Sequence, residues 1–406
     1  MVTLIKLLKM KHIIYLFFLT LLFSCKEESF NVLDADKDYV PETVMNVRVE
    51  NMPGKVRIDY DFKEDSKALY VEAEYTHSSG EKIISKSSYY NNSVDLSGFG
   101  EAKEYEVTLY SVGRNLKKSE PLTVKVNPLQ ATYESIFKSL IVQADFGGLR
   151  ITTDNGDGSP IVIIVERVNA NGEWENVDNI YTQEVSGTYF IRGLDPEPMK
   201  FRIYTKDRWN NYSDYFNTDL TPYYEEELDY AKFKHHRLPN DPADFAPNFV
   251  YFLWNDNVSS NPSGAGGWYR TANGTGIPNH ITIDMGQTAK LSRMKLHQRG
   301  YISNTALLYS SGDIKRFELW ASNEPATDGS WGSWTRIDEF EITKPSGMPM
   351  GTNTSADIQA AIGGREFAMP LDISSYRYVR VKILETWGIV DYFWIGELDF
   401  FGMIEN

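Results

Sequence analysis

Hydrophobic and polar residues alternate along most of the chain. In one run Val56, Ile58 and Tyr60 alternate with polar neighbours, and the pair Pro53-Gly54 precedes this run. A period of two places successive side chains on opposite faces of a strand, so that one face can be buried. Proline and glycine pairs favour tight turns between strands. The pattern therefore predicts an all-β fold made of half-buried strands.

A repeat spaced by 94 positions runs through the first half of the chain. The matching pairs are Tyr110 and Tyr204, Arg114 and Arg208, Ser119 and Ser213, Glu120 and Asp214, and Pro128 and Pro222. A repeat of this length has the size of one small β-sandwich. We therefore expect two sandwich domains of the same kind, at 42–128 and 129–222. Both arginines are expected in structural roles, and a ligand role is the alternative.

Both repeats carry a similar corner ahead of a predicted strand. Gly98-Phe99 precedes Tyr105, and Gly-Leu-Asp-Pro at residues 193–196 precedes Phe201. This arrangement resembles the fibronectin type III pattern, in which a Gly-Leu-x-Pro corner comes before a Tyr-x-Val strand. The resemblance implies that both repeats are immunoglobulin-like or fibronectin type III-like sandwiches.

The segment from residue 223 has a different pattern. Three acids, at 225–227, precede apolar residues, and Pro239 and Pro242 follow. Acidic side chains in the first turn stabilise a helix N-terminus. We expect a short helix or an ordered linker here, opening a third domain at 223–406.

The rest of the third domain resembles the discoidin, or coagulation-factor C-type, fold. The similar stretches are an early loop, a strand ending in Asp-Met-Gly, a central strand and a closing pair of strands, at 253–260, 280–286, 314–322, 376–382 and 395–402. Many carbohydrate-binding modules share this sandwich. The resemblance implies that a discoidin-like jelly roll follows the two fibronectin-like sandwiches.

The N-terminus has the pattern of a bacterial lipoprotein signal. A short basic head at 10–12 is followed by an apolar run at 13–23, which is shorter than the ~20 residues that cross a bilayer. The stretch 21–25 resembles a lipobox and ends in Cys25, the only cysteine. We predict a signal peptide at 1–24, lipidation of Cys25 and a tether at 25–41; a buried free cysteine is the alternative.

The three residues after Cys25 indicate where the anchored protein lies. Lys26, Glu27 and Glu28 resemble the surface-export signal of Bacteroidetes lipoproteins. The resemblance implies an outer-membrane location facing the cell exterior. An ordinary polar tether is the alternative interpretation.

Composition narrows the possible functions. The chain has 41 Lys and Arg against 56 Asp and Glu, a net charge of −15, and so lacks the basic face that nucleic acid demands. No Gly-x-Ser-x-Gly motif occurs, and the single cysteine is assigned to the anchor. Three sandwiches leave no room for a barrel, so we predict no enzyme. The paired carboxylates of a glycoside hydrolase are the alternative that the sequence leaves open.

The early loop of the third domain is a candidate calcium site. Asn255, Asn257 and Ser260 carry oxygens at loop spacing, and Glu397 lies on the last predicted strand, whose end returns to this loop. Calcium takes six to eight oxygen ligands, and charge count tunes its affinity. The alternative is a turn held by Asx hydrogen bonds.

Loop aromatics of the third domain are candidate glycan-binding residues. A sugar ring needs a flat apolar surface together with hydrogen-bonding groups, and β-sandwich sites lie in loops. Trp254, Trp320 and Trp394 fall within strand patterns and are expected in the core. The candidates outside such patterns are Trp268, Tyr269, Arg299, Tyr301, Trp387 and Tyr392.

The whole arrangement resembles a family of Bacteroidetes surface lipoproteins from polysaccharide-utilisation systems. The features it shares are the lipobox, two fibronectin-like units and a discoidin-type end. The resemblance implies capture of a glycan at the cell surface beside an outer-membrane importer. The alternative is an adhesin or scaffold that binds a protein through the same loops.

The lipid anchor gives a testable prediction. Replacing Cys25 by alanine removes the only thiol that can be acylated, so the protein should leave the membrane fraction of expressing cells. Cys25→Ser serves as a second variant, because it keeps the size of the side chain. Equal membrane association of both variants and the native protein would contradict the anchor, and protease shaving of intact cells tests surface exposure.

Overall fold

The computed structural model describes residues 38–257, 267–299 and 305–405 of the chain. Strands make up about 50% of the described residues and helices 8%. The all-β prediction is therefore confirmed. The residues of the predicted signal peptide and Cys25 lie outside the described part.

The described chain forms two compact units. One comprises residues 38–141, 152–187 and 202–217, and the other comprises 142–151, 188–201 and 218–405. The predicted domain boundaries, after residues 128 and 222, stay predictions.

Seven strands between residues 45 and 126 form a two-sheet sandwich. They are β1 Met45–Met52, β2 Lys55–Asp61, β3 Ala68–Thr76, β4 Lys82–Ser88, β5 Ser93–Ser97, β6 Tyr105–Gly113 and β7 Leu122–Val126. One sheet has the order β1-β2-β5 and the other β4-β3-β6-β7. Ile58 and Leu96 from the first sheet and Val71 and Leu109 from the second are buried in one core. The period-two pattern thus marks the inward faces.

The following segment also carries two sheets, and it begins with a helix that the sequence pattern did not predict. Its elements are α1 Thr132–Ser139, β8 Ile141–Asp145, β9 Gly148–Asp154, β10 Ile161–Val168, β11 Trp174–Thr182, β12 Ser186–Ile191, β13 Met199–Asp207 and β14 Phe216–Leu220. The sheet orders are β11-β10-β13-β14 and β12-β9-β8. Helix α1 buries Tyr133 and Ile136, three positions apart on one face.

The 94-residue spacing corresponds to equivalent positions in the two repeats. Ser119 Oγ accepts a hydrogen bond from the backbone N–H of Ser111 (3.0 Å), and Ser213 Oγ accepts one from Thr205 (2.9 Å). Each serine hydroxyl also donates to the carbonyl of the next residue, at 2.8 Å. The repeated serines therefore secure the same hairpin in both repeats.

The remaining strands and a second helix build the largest sheet. The elements are β15 Glu226–Glu227, β16 Lys234–His235, β17 Tyr269–Arg270, β18 Asn279–His297, β19 Ile314–Ser322, β20 Thr335–Glu341, α2 Ser355–Ile362, β21 Arg365–Ala368, β22 Tyr376–Thr386, β23 Trp394–Ile395 and β24 Glu397–Ile404. Short 3₁₀ helices lie at Tyr230–Lys232, Val250–Trp254, Thr305–Leu307 and Trp331–Ser333. The main sheet has the order β15-β24-β18-β22-β19-β20, and β17 pairs with β23.

The predicted helix after residue 223 is only partly present. Glu226 and Glu227 form strand β15, which pairs with the last strand β24. A single 3₁₀ turn follows, in which Asp229 accepts a hydrogen bond from the N–H of Ala231. Pairing with an exposed strand edge thus outweighs the helix signal of the three acids.

A buried ion pair fixes the segment after this turn to the main sheet. Arg380 and Asp241 have fully buried side chains, with Nη2 of the arginine 3.8 Å from Oδ1 of the aspartate. Arg380 also donates to Thr282 Oγ1 at 2.9 Å, and Thr282 donates to Asp241 Oδ1 at 2.9 Å. Burial raises the pKa of Asp241, but the ring of His280, whose Nε2 lies 2.9 Å from Oδ1, and hydrogen bonds from the N–H of Leu238 and from Thr282 outweigh it and hold the pKa below its ordinary value.

This ion pair predicts a pH-dependent stability difference. Asp241→Asn leaves Arg380 buried beside a neutral group, so we expect a loss of about 3–5 kcal/mol of unfolding free energy at pH 7. Because the folded pKa of Asp241 is depressed, its contribution is present above the unfolded value of about 3.9 and is lost as pH falls further. The difference should therefore shrink below about pH 4 in urea titrations. Exposed Asp372→Asn is the control, expected within about 0.5 kcal/mol of native; equal stability of the two variants would contradict the prediction.

Candidate functional site

An arginine between two indole rings is the centre of the candidate site. Arg299 Cζ lies 3.7 Å from the ring centroid of Trp268 and 4.4 Å from that of Trp394. The two indoles are T-shaped, with centroids 6.1 Å apart. Cations over tryptophan faces are attracted by the ring quadrupole. Trp268, Arg299 and Trp394 are called the arginine–tryptophan cluster below.

A buried carboxyl lies beside the cluster. Asp313 is 1% exposed, and its Oδ1 accepts a hydrogen bond from Trp394 Nε1 at 2.7 Å. Its Oδ2 has no hydrogen-bond partner among the described residues. Burial raises the pKa of Asp313 to about 8, against the opposing effects of its hydrogen bonds and of Arg299. The carboxyl is thus mostly protonated at neutral pH and can donate a hydrogen bond.

The backbone of Asp313 and its neighbour Gly312 joins the loops around the cluster. The N–H of Asp313 donates to the carbonyl of Ser310 at 2.9 Å, and its own carbonyl accepts from the N–H of Trp387 at 2.9 Å. The N–H of Trp394 donates to the carbonyl of Gly312 at 3.0 Å. The loop that carries Trp387 and Tyr392 is therefore held at both of its ends by residues 312 and 313.

A second stack extends the aromatic surface. Arg270 Cζ lies 3.8 Å from the ring centroid of Tyr392 and 4.1 Å from that of Phe245. The ring of Tyr392 is 5.7 Å from that of Trp394, which belongs to the cluster. Arginine and aromatic residues thus alternate across the site.

Three of the predicted glycan-binding residues come together, and one does not. Trp268, Arg299 and Tyr392 all lie at the site described above, although Trp268 is itself only 7% exposed. Tyr269 has no exposed surface and packs its ring against Phe393 in the core. The expectation that Tyr269 presents a stacking ring is therefore wrong, because neighbours in a strand point to opposite faces.

The other two predicted residues lie at the margin or outside the described chain. Trp387 is half-buried against the core, with its ring 5.4 Å from that of Tyr309, although its backbone bonds to Asp313. Tyr301 lies outside the described residues.

Trp394 and Arg270 belong to the site although sequence reasoning did not select them. Strand β17 pairs with β23, with Tyr269 opposite Ile395 and Arg270 opposite Trp394. Tyr269 and Ile395 face the core, so Arg270 and Trp394 face the other way. The signal that could have found them is this alternation, applied to two very short strands.

The predicted calcium loop contains an Asx turn, and it is also contacted by Glu397, the predicted carboxylate ligand. The N–H of Asn257 donates to Asn255 Oδ1 at 3.0 Å, which is an Asx turn. The N–H of Asp256 donates to Glu397 Oε1 at 3.0 Å, so the glutamate does return to the loop. Ser260 lies outside the described residues.

Within this loop site, Glu397 is the residue whose environment favours the binding of a cation. It is 1% exposed, and its Oε2 has no hydrogen-bond partner among the described residues. Burial raises the pKa of Glu397 to about 8, despite a hydrogen bond from the N–H of Asp256. An unpaired buried carboxylate oxygen fits a hard cation, which would be held by Asn255, Asn257 and Glu397. Within the described chain no three His, Cys, Asp or Glu side chains form a metal cluster, so calcium stays a prediction.

The described residues include no helix that is long and apolar enough to cross a membrane.

Three family models match the chain in succession. All three are domains of unknown function: DUF4959 at residues 41–128, DUF5126 at 129–231 and DUF5000 at 254–402. No curated protein matches the chain.

Solved structures give a more specific relation. A structure titled "SusE-like protein BT2857" is 33% identical, with a TM-score of 0.43, and the match covers 68% of this chain and 100% of that one. The C-terminal domain of a chitobiase from Bacteroides fragilis is 19% identical, covering 45% of this chain and 100% of that one, with a TM-score of 0.31. A "GH31 CBM32-2 bound to GalNAc" is 9% identical, covering 41% and 94%, with a TM-score of 0.26.

Taken with the fold, these findings define a class of protein: a chain of β-sandwiches with an arginine–aromatic site at loops of the last one. The sequence identity over the full length of the SusE-like relative, rather than the superposition, then decides the family. The chain belongs to the family of SusE-like proteins.

The environment of Glu397 predicts a response to calcium. Calcium should raise the melting temperature of residues 26–406 and chelator should lower it, since a ligand of the folded state stabilises it. At pH 7 calcium should also release a proton, because the free carboxyl has a pKa of about 8. Calorimetry in two buffers of different ionisation enthalpy measures that release.

The control variants separate this site from general ionic effects. Glu397→Gln should abolish both responses, and exposed Glu324→Gln should keep them. If neither calcium nor chelator changes the melting temperature of the native protein, the calcium prediction is wrong, and the Asx turn alone explains the loop.

Proposed function

We propose that the protein is a lipid-anchored glycan-binding protein of the bacterial cell surface, without catalytic activity. Its saccharide lies on the arginine–tryptophan cluster. The observation that carries this proposal is the guanidinium of Arg299 between the indoles of Trp268 and Trp394. Membership of the SusE-like family supports it, and a role beside an outer-membrane importer in polysaccharide utilisation follows from the resemblance.

The cluster combines the two kinds of surface that a sugar requires. Indole rings carry apolar surface for the C–H side of a pyranose, although Trp268 and Trp394 are only 7% and 5% exposed here, and a guanidinium offers a planar fork of donors for adjacent hydroxyls. Trp268 Nε1 and Arg299 Nε are both buried and have no hydrogen-bond partner among the described residues. Leaving such donors unpaired costs about 1–3 kcal/mol each. Sugar hydroxyls, or the water that precedes them, would satisfy both.

Asp313 supports binding rather than hydrolysis. A glycosidase needs a carboxyl that reaches the glycosidic oxygen, together with a second carboxylate across the bond. Asp313 is fully buried, and its Oδ1 is occupied by Trp394 Nε1. It therefore holds the ring of Trp394 and is not presented to a substrate.

One observation favours the alternative of a protein partner. Ile389 lies in the loop between Trp387 and Tyr392 and is fully exposed. An apolar side chain at a loop tip is typical of contacts with protein. An adhesin or scaffold using this loop would depend on Ile389 rather than on Arg299.

The cluster predicts a specific loss of glycan affinity. In calorimetry with the best-binding glycan from an array, Trp268→Ala in residues 26–406 should weaken binding by about 2 kcal/mol, about thirtyfold. Arg299→Lys should also weaken binding, because it keeps the charge but loses the planar fork. Trp174→Ala, at a partly exposed tryptophan of strand β11, should bind like the native protein, and circular dichroism checks that each variant is folded.

Two outcomes would count against this proposal. If Trp174→Ala loses binding while Trp268→Ala and Arg299→Lys keep it, the site is misplaced. If no glycan binds and Ile389→Asp abolishes capture of a protein partner, the alternative function is correct.

A further inference from the structure

A cleft of about 460 Å³ opens at one end of the sheet β11-β10-β13-β14. It lies wholly within the unit that contains residues 152–187 and 202–217. Its size falls within the ~300–1,000 Å³ of small-molecule sites. The lining residues used below are Pro160, Ile161, Val162, Tyr181, Lys206 and Arg208.

One side of the cleft is apolar and carries an exposed aromatic ring. Pro160, Ile161 and Val162 line it from the start of strand β10. Tyr181, near the end of strand β11, is 78% exposed. A phenol ring that is not used in a core is available for stacking against an apolar ligand face. The surface therefore suits a ring-shaped ligand with one apolar side.

The other side of the cleft carries cations without carboxylate partners. Lys206 and Arg208 line it, and the structure gives neither an ion pair among the described residues. Lys206 Nζ lies 5.2 Å from the ring centroid of Tyr212, and Arg208 Cζ lies 5.1 Å from that of Trp209. Both cations are thus steadied by aromatic rings.

Asp207, which lies between these two cations in the sequence, already has hydrogen-bond partners. Asp207 Oδ1 accepts hydrogen bonds from the N–H groups of Trp209 (2.8 Å) and Asn211 (2.9 Å), and Oδ2 accepts one from Asn211 Nδ2 (2.8 Å). Its oxygens are directed at its own hairpin rather than at either cation. The cations therefore remain available to a ligand.

An adjoining recess adds a third cation. It has a volume of about 240 Å³ and shares Pro160, Ile161, Asp207 and Arg208 with the cleft. Lys55 lines it, again without an ion pair in the described residues. Three cations against one carboxylate is unusual on a chain with a net charge of −15. The cleft and the recess, which share these residues, are together called the groove below, and the groove has a positive character.

We propose that this groove binds an acidic oligosaccharide, one whose sugars carry carboxylates. A uronic acid presents a C–H face, which suits Tyr181, and a carboxylate, which suits the fork of Arg208 and the point charges of Lys206 and Lys55. The groove is separate from the arginine–tryptophan cluster, so the inference does not rest on the function proposed above. It gives the fibronectin-like part of the chain a binding role of its own.

The first repeat supplies an internal comparison. At the 94-residue spacing, Arg208 corresponds to Arg114, which is also exposed, but Lys206 corresponds to Val112, which is 1% exposed. An arginine after the strand is therefore common to both repeats, whereas the lysine belongs to the second. Arg114 offers a matched control for Arg208.

The test is titration of residues 26–406 with digalacturonic acid, followed by NMR or calorimetry. Native protein should bind it, should bind its dimethyl ester and neutral galactobiose at least tenfold more weakly, and should lose affinity as salt is raised. Arg208→Gln and Lys206→Gln should each weaken binding of the acid about tenfold. Arg114→Gln and Trp268→Ala should leave it unchanged.

The outcomes distinguish binding in the groove from binding at the arginine–tryptophan cluster. Equal binding of the acid and its ester, or full affinity in Arg208→Gln, would overturn the inference. Binding that is lost in Arg299→Lys but kept in Arg208→Gln would place the acid on the arginine–tryptophan cluster, which overturns this proposal while supporting the function proposed above. No binding at millimolar acid would also overturn it.

Discussion

The hydrogen bond from Trp394 Nε1 to Asp313 is the interaction on which the candidate site depends. A fully buried carboxyl needs partners, and this one takes the indole N–H and backbone groups of the surrounding loops. In doing so it fixes the plane of Trp394, and that plane fixes where Arg299 can stack. The site is thus pre-organised by a polar group that a ligand need not touch, which lowers the entropy cost of binding.

Period-two alternation explains both what the sequence predicted and what it missed. It located the strands, because a long half-buried strand such as β2 or β6 shows the pattern clearly. It could not rank the adjacent pair Trp268 and Tyr269, since an isolated pair has no period; the structure buries both, with Tyr269 in the main hydrophobic core and Trp268 against Arg299. Trp394 is buried, as its strand pattern predicts, but it lies against Arg299 and outside the main hydrophobic cluster. Helix α1 was missed because eight residues give barely two turns of helical pattern.

The two repeats show how one scaffold can carry different surfaces. The hairpin serines Ser119 and Ser213 keep the same hydrogen bonds because the backbone of each repeat needs them. The position equivalent to Lys206 differs in burial: Val112 is 1% exposed in the first repeat, whereas Lys206 lines the groove in the second. Residues at buried positions are constrained by packing, whereas residues at surface positions are constrained by what the surface binds.

The central claim is that a glycan rests on Trp268 and Trp394 around Arg299. The most direct measurement is NMR of the indole N–H groups of the nine tryptophans, with and without saturating glycan, using ¹⁵N-labelled residues 26–406. The indole signals of Trp268 and Trp394 should shift, while those of Trp320, Trp331 and Trp334 should stay. Shifts confined to those three, or none in any indole although the glycan binds, would contradict the account.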